Sequence, residues 1–197
     1  SAVNSPPLDK IIVVGSSDVS WEKEVKPETR WDTPCFLISN EPYHGIAEDL
    51  RSGPVKGGVY MGVSFEQNLS FIAALRPEQA FILDRNLYVT EIAFPLVNYI
   101  INNSASLEEM KTNLASLQDS SWAYQIIKQA VAKESRKKAL ELWKRQGCIL
   151  TEKWLEQGAQ IGGWLYSEEN FGYVKRLFSS GGVEVIAGDC IRKLHSI

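Results

Sequence analysis

Residues 57 to 86, GGVYMGVSFEQNLSFIAALRPEQAFILDRN, restrict the fold of this chain more than any other stretch. Val59-Tyr60-Met61-Gly62-Val63 alternates poorly, as a strand buried on both faces of an α/β sheet does. Ser64, with Gln67 three residues on, has the spacing of a capping box. Phe65, Leu69, Ile72, Ala73 and Leu75 then form a helical stripe that Pro77 ends. Ala80-Phe81-Ile82-Leu83 is a second core strand, and it stops at Asp84. Strand, helix and strand in this order predict a parallel pair joined by a right-handed crossover.

Elsewhere the signals are of two kinds. Ile11–Val14 reads as a short strand or an anchored arm, and residues 18–34 as a loop packed by Trp21 and Trp31. Cys35–Ile38 is an apolar run, and a helix follows from Ser39 or Asn40 with Tyr43, Ile46, Ala47 and Leu50 as its stripe. Residues 87 to 157 carry almost no strand signal. There the pattern predicts a helix over 87–101 kinked at Pro95, and one capped by Ser106 and Glu109. A long helix from Ser121 to Gln146, stopped at Gly147, and a short one bearing Trp154 and Leu155 complete the block. The α/β rhythm resumes with a strand at Trp164–Tyr166. A helix capped by Ser167, with Phe171, Val174, Leu177 and Phe178 inward, leads to a strand over Val183–Ala187 that ends at Gly188-Asp189.

The expected fold class is therefore α/β. It is a single Rossmann-like domain over residues 1–197, with a mostly parallel sheet and a helical insertion at 87–157. Too few strands follow for a full doubly wound sheet. Either the sheet is small, recruiting 11–14 and 35–38, or part of it lies outside this sequence.

Charge and cysteine content exclude several functions. A formal charge of −3 and a pI near 5.5 argue against a nucleic-acid binder. The basic run KESRKK at 133–138, followed by Lys144 and Arg145, alternates with acids and reads as a solvated helix face. Cys35, Cys148 and Cys190 form no CxxC pair, so neither a zinc site nor a disulfide framework follows and no metal is expected. No run of 18 apolar residues and no signal-peptide pattern is visible, so a cytoplasmic protein without a membrane span is expected. HExxH, GxSxG and the Walker A motif are all missing.

Ligands of open α/β sheets sit outside the carboxyl ends of the strands, here 62–68, 84–86 and 188–189. Gly62 permits close backbone approach, and the helix after it offers free N–H groups. Asp84 lies 22 residues beyond Gly62, near the roughly 20-residue spacing at which an acid meets ribose hydroxyls. Glu66, in the first helical turn, disfavours a pyrophosphate and so an NAD-type cofactor. A zwitterionic ligand such as S-adenosylmethionine suffers less. Against this stands a purely structural role for the same residues, with Gly62 a turn, Ser64 and Gln67 a cap, and Asp84 paired to Arg85 or Lys56.

The segments SNE with Tyr43, GGVYMGVSFEQN, IAALRP, AFILD, YSEENF and IAGD resemble a poorly characterised bacterial family with a class I methyltransferase-like α/β fold. The resemblance covers roughly residues 35–90 and 162–190. It implies cofactor contacts at Gly62, Glu66, Gln67, Asn68, Asp84, Arg85 and Asp189, with Glu41 a further position. It supplies no general base and no acceptor. Ser64-Phe65 replaces the family's Gly-Pro, and Asp84-Arg85-Asn86 is shorter than its counterpart. Two functions are thus in play. One is an S-adenosylmethionine-dependent methyltransferase whose insertion selects the acceptor. The other is a non-catalytic module that binds a protein partner through the 87–157 helices, by an apolar patch between Trp122 and Trp143.

Overall fold

The structure, a computed structural model, describes residues 12–14, 31, 42–117 and 119–188. Glu41, Asp189, Trp21, Cys35–Ile38, Cys190 and His195 lie outside the described residues, and with them two of the expected site positions. The chain is a mixed α/β protein built on a small parallel sheet. Its strands are β1 (Ile12–Val14), β2 (Val59–Val63), β3 (Gln79–Asp84) and β4 (Val183–Ala187), side by side in sequence order and all parallel.

Helix α1 (His44–Ser52) precedes β2, and α2 (Glu66–Leu75) joins β2 to β3. Nine of the ten residues of α2 are buried, so it is a central helix rather than a surface one. The sequence EQNLSFIAAL allows this because it is apolar from Leu69 onward save Ser70, and the buried polar residues Glu66, Asn68 and Ser70 form hydrogen bonds inside the protein. Arg76 ends it in a left-handed conformation (φ 53°), and Pro77 prevents its continuation.

Between β3 and β4 come a π-helical turn (Val89–Ala93) and then α3 (Phe94–Asn102), α4 (Leu107–Ala115), α5 (Ser121–Ala130), α6 (Arg136–Gly158) and α7 (Glu168–Ser179). The π-turn accommodates Pro95, which has no N–H to continue the ladder. Ser106 and Ser167 cap α4 and α7, accepting from Glu109 N at 3.2 Å and Asn170 N at 3.2 Å. The Glu109 carboxylate returns to Ala105 N at 2.6 Å, one residue short of the usual box partner.

Three expectations are corrected. The long helix does not run from 121 to 146. It breaks at Val131-Ala132, passes through a 3₁₀ turn (Lys133–Ser135), and restarts as α6, which continues through Gly147 to Gly158. Gly147 is there for space, since a Cβ would press on the Trp143 indole at 2.9 Å. Residues 164–166 form a turn, not a strand, in which Trp164 and Leu165 are buried and Tyr166 is exposed, with Trp164 N donating to Ser70 Oγ at 3.1 Å. Ser64 does not cap α2. The N-cap is Phe65, without a side-chain hydrogen bond.

Helices α1, α6 and α7 all pack on α2. Tyr60, Ala80, Ile82 and Val183 meet this layer and belong to one continuous core with Leu69, Ile72, Trp143, Trp154, Trp164 and Phe171. That core joins the insertion to the sheet.

Candidate functional site at the strand ends

The in-register pairs Val63–Leu83 and Asp84–Ala187 bring the carboxyl ends of β2, β3 and β4 together. Ser64 turns the chain out of β2 with φ 75°, a conformation uncommon for a residue with a side chain. Its N–H donates to Asp84 Oδ2 at 3.1 Å, and the N–H of Asn86 donates to Asp84 Oδ1 at 2.7 Å. Gly188 N–H donates to the Asp84 carbonyl at 2.9 Å, with φ 150° at the glycine. Asp84 therefore ties three chain segments at one point, and charge-assisted bonds from two backbone amides orient its carboxylate. The pairings with Arg85 or Lys56 considered for it are not what holds it. Lys56 Nζ donates instead to the carbonyls of Leu50 and Gly53.

Gly62 has a different reason from the one its motif predicts. A Cβ there would overlap the Asn68 amide and lie 2.7 Å from Tyr60 Oη. Asn68 is fully buried. Its Nδ2 donates to Val63 O at 2.8 Å, and its Oδ1 accepts from Tyr60 Oη at 2.5 Å. The glycine thus makes room for the protein's own side chains, which close the β2–α2 turn from below.

Glu66 turns inward as well, at 1% exposure. Tyr43 Oη lies 2.7 Å from both of its carboxyl oxygens, and the Trp164 indole N–H sits on the same side at a geometry short of a hydrogen bond. Burial pushes the Glu66 carboxyl up to about 8, against the opposing pull of the tyrosine. The same burial, with Glu66 beside it, raises the Tyr43 hydroxyl. Burial thus favours the protonated acid over the carboxylate, and because Glu66 faces the core the first turn of α2 does not present this side chain to the strand ends.

Of the expected positions within the described residues, Gln67, Asp84 and Arg85 are half-exposed at this end of the sheet, as is Ser64. Gly62, Glu66 and Asn68 are buried behind them. Burial of Glu66 was not legible locally, because its partner Tyr43 stands 23 residues away. Among the described residues no group of His, Cys, Asp and Glu could hold a metal ion. No described helix is long and apolar enough to cross a membrane.

A shallow depression of about 580 Å³ lies elsewhere, between the start of α1 and the turn after α6, lined by His44, Glu48, Ile161 and Tyr166 among others. His44 Nε2 is 2.7 Å from the Gln157 carbonyl, and its ring stacks on Tyr43 at 4.1 Å. None of the strand-end positions lines it. Of the tryptophans, Trp143, Trp154 and Trp164 are buried in the core, which agrees with a packing role. Trp122 is half-buried against Tyr99 at 5.0 Å.

These features define a mixed α/β protein in which Ser64, Gln67, Asp84 and Arg85 share the carboxyl end of a parallel sheet. The chain belongs to the family described as a domain of unknown function, DUF7790, whose model matches residues 36–194. No curated protein matches it.

Proposed function

We propose that the chain is a methyltransferase-like, Rossmann-type nucleoside-binding protein that takes S-adenosylmethionine across the carboxyl ends of β2 and β3. The observation that carries this reading is the Asp84 carboxylate, set at a strand end next to the β2–α2 turn and oriented by two backbone N–H groups. An acid so placed suits ribose hydroxyls. Ser64, Gln67 and Arg85 share its half-exposed surface, and they are the residues assigned to ligand contact here, with Asp189 and Glu41 as the family resemblance implies. Gly62, Glu66 and Asn68 act on the ligand only through the shape of the turn. Methyl transfer itself asks chiefly for positioning of donor and acceptor.

Because Glu66 faces the core, it no longer separates a methyl donor from a dinucleotide, so both belong in the test. Titration calorimetry with S-adenosylmethionine, S-adenosylhomocysteine and NAD is the direct experiment. Micromolar binding of the first two is expected. Asp84→Asn, and Gln67→Ala as a variant that breaks no internal hydrogen bond seen here, should each weaken it. Binding of NAD alone would replace the methyl donor, and binding of none by a folded chain would end the nucleoside reading. The second reading is a non-catalytic interaction module. It draws support from the way Glu66 and Asn68 commit their polar groups to the interior.

A further inference from the structure

Residues 128–145 carry seven Lys and Arg and two Glu, in a chain whose remaining residues hold fourteen basic and twenty-two acidic side chains. A block of net charge +5 thus sits on a molecule that is otherwise −8. The structure gathers the C-terminal part of this block on one face of α6. Lys137, Lys138, Glu141, Lys144 and Arg145 are all exposed, while Ala139 and Trp143 between them are buried.

Arg136 serves the fold, since its Nε donates to the Val131 carbonyl at 3.2 Å, but two features show that the exposed cations of α6 are not kept for the fold. No acid stands in the first turn of α6, and Ser135 provides no side-chain cap. Arg136, Lys137 and Lys138 occupy that turn instead, where the helix dipole disfavours positive charge by a few tenths of a kcal/mol each. Glu141 is four residues from both Lys137 and Arg145, yet neither pair closes to an ion pair, and Arg145 Nε reaches only the Glu141 carbonyl at 3.4 Å. Among the described residues no acid neutralises Lys137, Lys138, Lys144 or Arg145.

We propose that this face of α6 is a docking surface for a short acidic segment of a partner protein. From Lys137 to Arg145 the ridge runs about 12 Å, the span of about four extended residues. Base stacking has no platform on it, since Trp143 and Trp154 are in the core. A bilayer surface would want several apolar residues alongside, and Ile149 is the one large exposed hydrophobic residue described on α6. A long or planar polyanion also meets the acidic remainder of the chain, whereas a short segment can stay within a Debye length, about 8 Å, of the patch alone.

The test is fluorescence anisotropy with a labelled peptide of about a dozen glutamates, at rising salt, on the full chain. Lys137→Glu/Lys144→Glu is compared with Arg51→Glu/Lys56→Glu, which changes net charge equally on α1 and the turn that follows it. An acid at 137 suits the first turn of a helix, so the patch variant should fold. The expected result is binding that weakens about tenfold between low and physiological salt. It should fall at least tenfold in the patch variant and less than about twofold in the control. No binding by the folded chain, equal loss in both variants, or tighter binding to phosphatidylserine vesicles or to polyuridylate would each overturn the proposal.

Discussion

The two faces of the sheet are finished to different degrees. On one, Tyr60, Ala80, Ile82 and Val183 pack under α2 and its neighbours within the continuous core. On the other, Val59, Met61, Phe81 and Ile186 are half-exposed, Val63 is 38% exposed, and Gln79 bonds Glu184 at 3.3 Å. Leu83 is buried there but stands outside that core. The strand order explains the contrast. With right-handed crossovers, strands laid down in sequence order place every connecting helix on the same side. Doubly wound sheets cover both sides by reversing the order part-way, and the four described strands contain no reversal. The side chains read correctly as strand-forming therefore serve two different environments, and composition alone does not tell them apart.

This comparison can be broken by substitution. Ile82→Ala on the covered face should cost about 4 kcal/mol in urea unfolding, while Phe81→Ala, one residue away on the other face, should cost no more than about half that. Equal costs would mean that the second face is also covered tightly. Next in size is Glu66. Its folded carboxyl is raised to about 8 from an ordinary 4.5, so the native state holds the proton more tightly than the unfolded chain. That contribution is fully present below about pH 4.5 and is lost as pH rises through about 8. Glu66→Gln should therefore flatten the fall in stability between pH 5 and 9, a difference on the order of a few kcal/mol across that window. An unchanged slope in the variant would place the titration elsewhere.

Gly62→Ala should cost about 2 kcal/mol by overpacking Asn68 and Tyr60, with the β2–α2 turn the first part of the protein to exchange its amides. The smallest effect belongs to Val63→Thr, a β-branched exchange at an exposed position on the open face. It should stay within about 0.5 kcal/mol. A larger loss would show Val63 to be part of a packed contact.

What could be read in advance depended on how local its cause was. The Ser106 and Ser167 caps lie three residues from the amides they accept from, and the strands at 59–63, 80–83 and 183–187 are short apolar runs between turn signals. Both kinds of signal sit inside a reading window. The break at Val131-Ala132 carries neither Gly nor Pro, and Gly147 looks like a stop until Trp143 is seen to need its space. In the Trp164-Leu165-Tyr166 run the first two residues are apolar because they are buried in a turn, and periodicity does not separate that from a strand. In the candidate site, the place of Asp84 at the end of β3 was legible from the apolar run that stops there. The duties of Glu66 and Asn68 were not, since they depend on Tyr43, Tyr60 and Val63, which only the packed sheet and helices bring near.

The π-turn at Val89–Ala93 carries one more consequence. Each such turn holds one residue more than the α-helical ladder needs, so it acts as a phase shift of roughly 100° between what lies before it and what lies after. Upstream are Asp84, Asn86 and Tyr88, linked in a chain of side-chain-to-backbone bonds. Downstream is α3, seated in the helical layer by Leu96, Val97 and Ile100. Removing a single residue from this turn would leave both pieces intact and misalign them. The angular relation between the strand ends and the helical insertion is thus stored in one extra residue, where a change of length acts more strongly than a change of side chain.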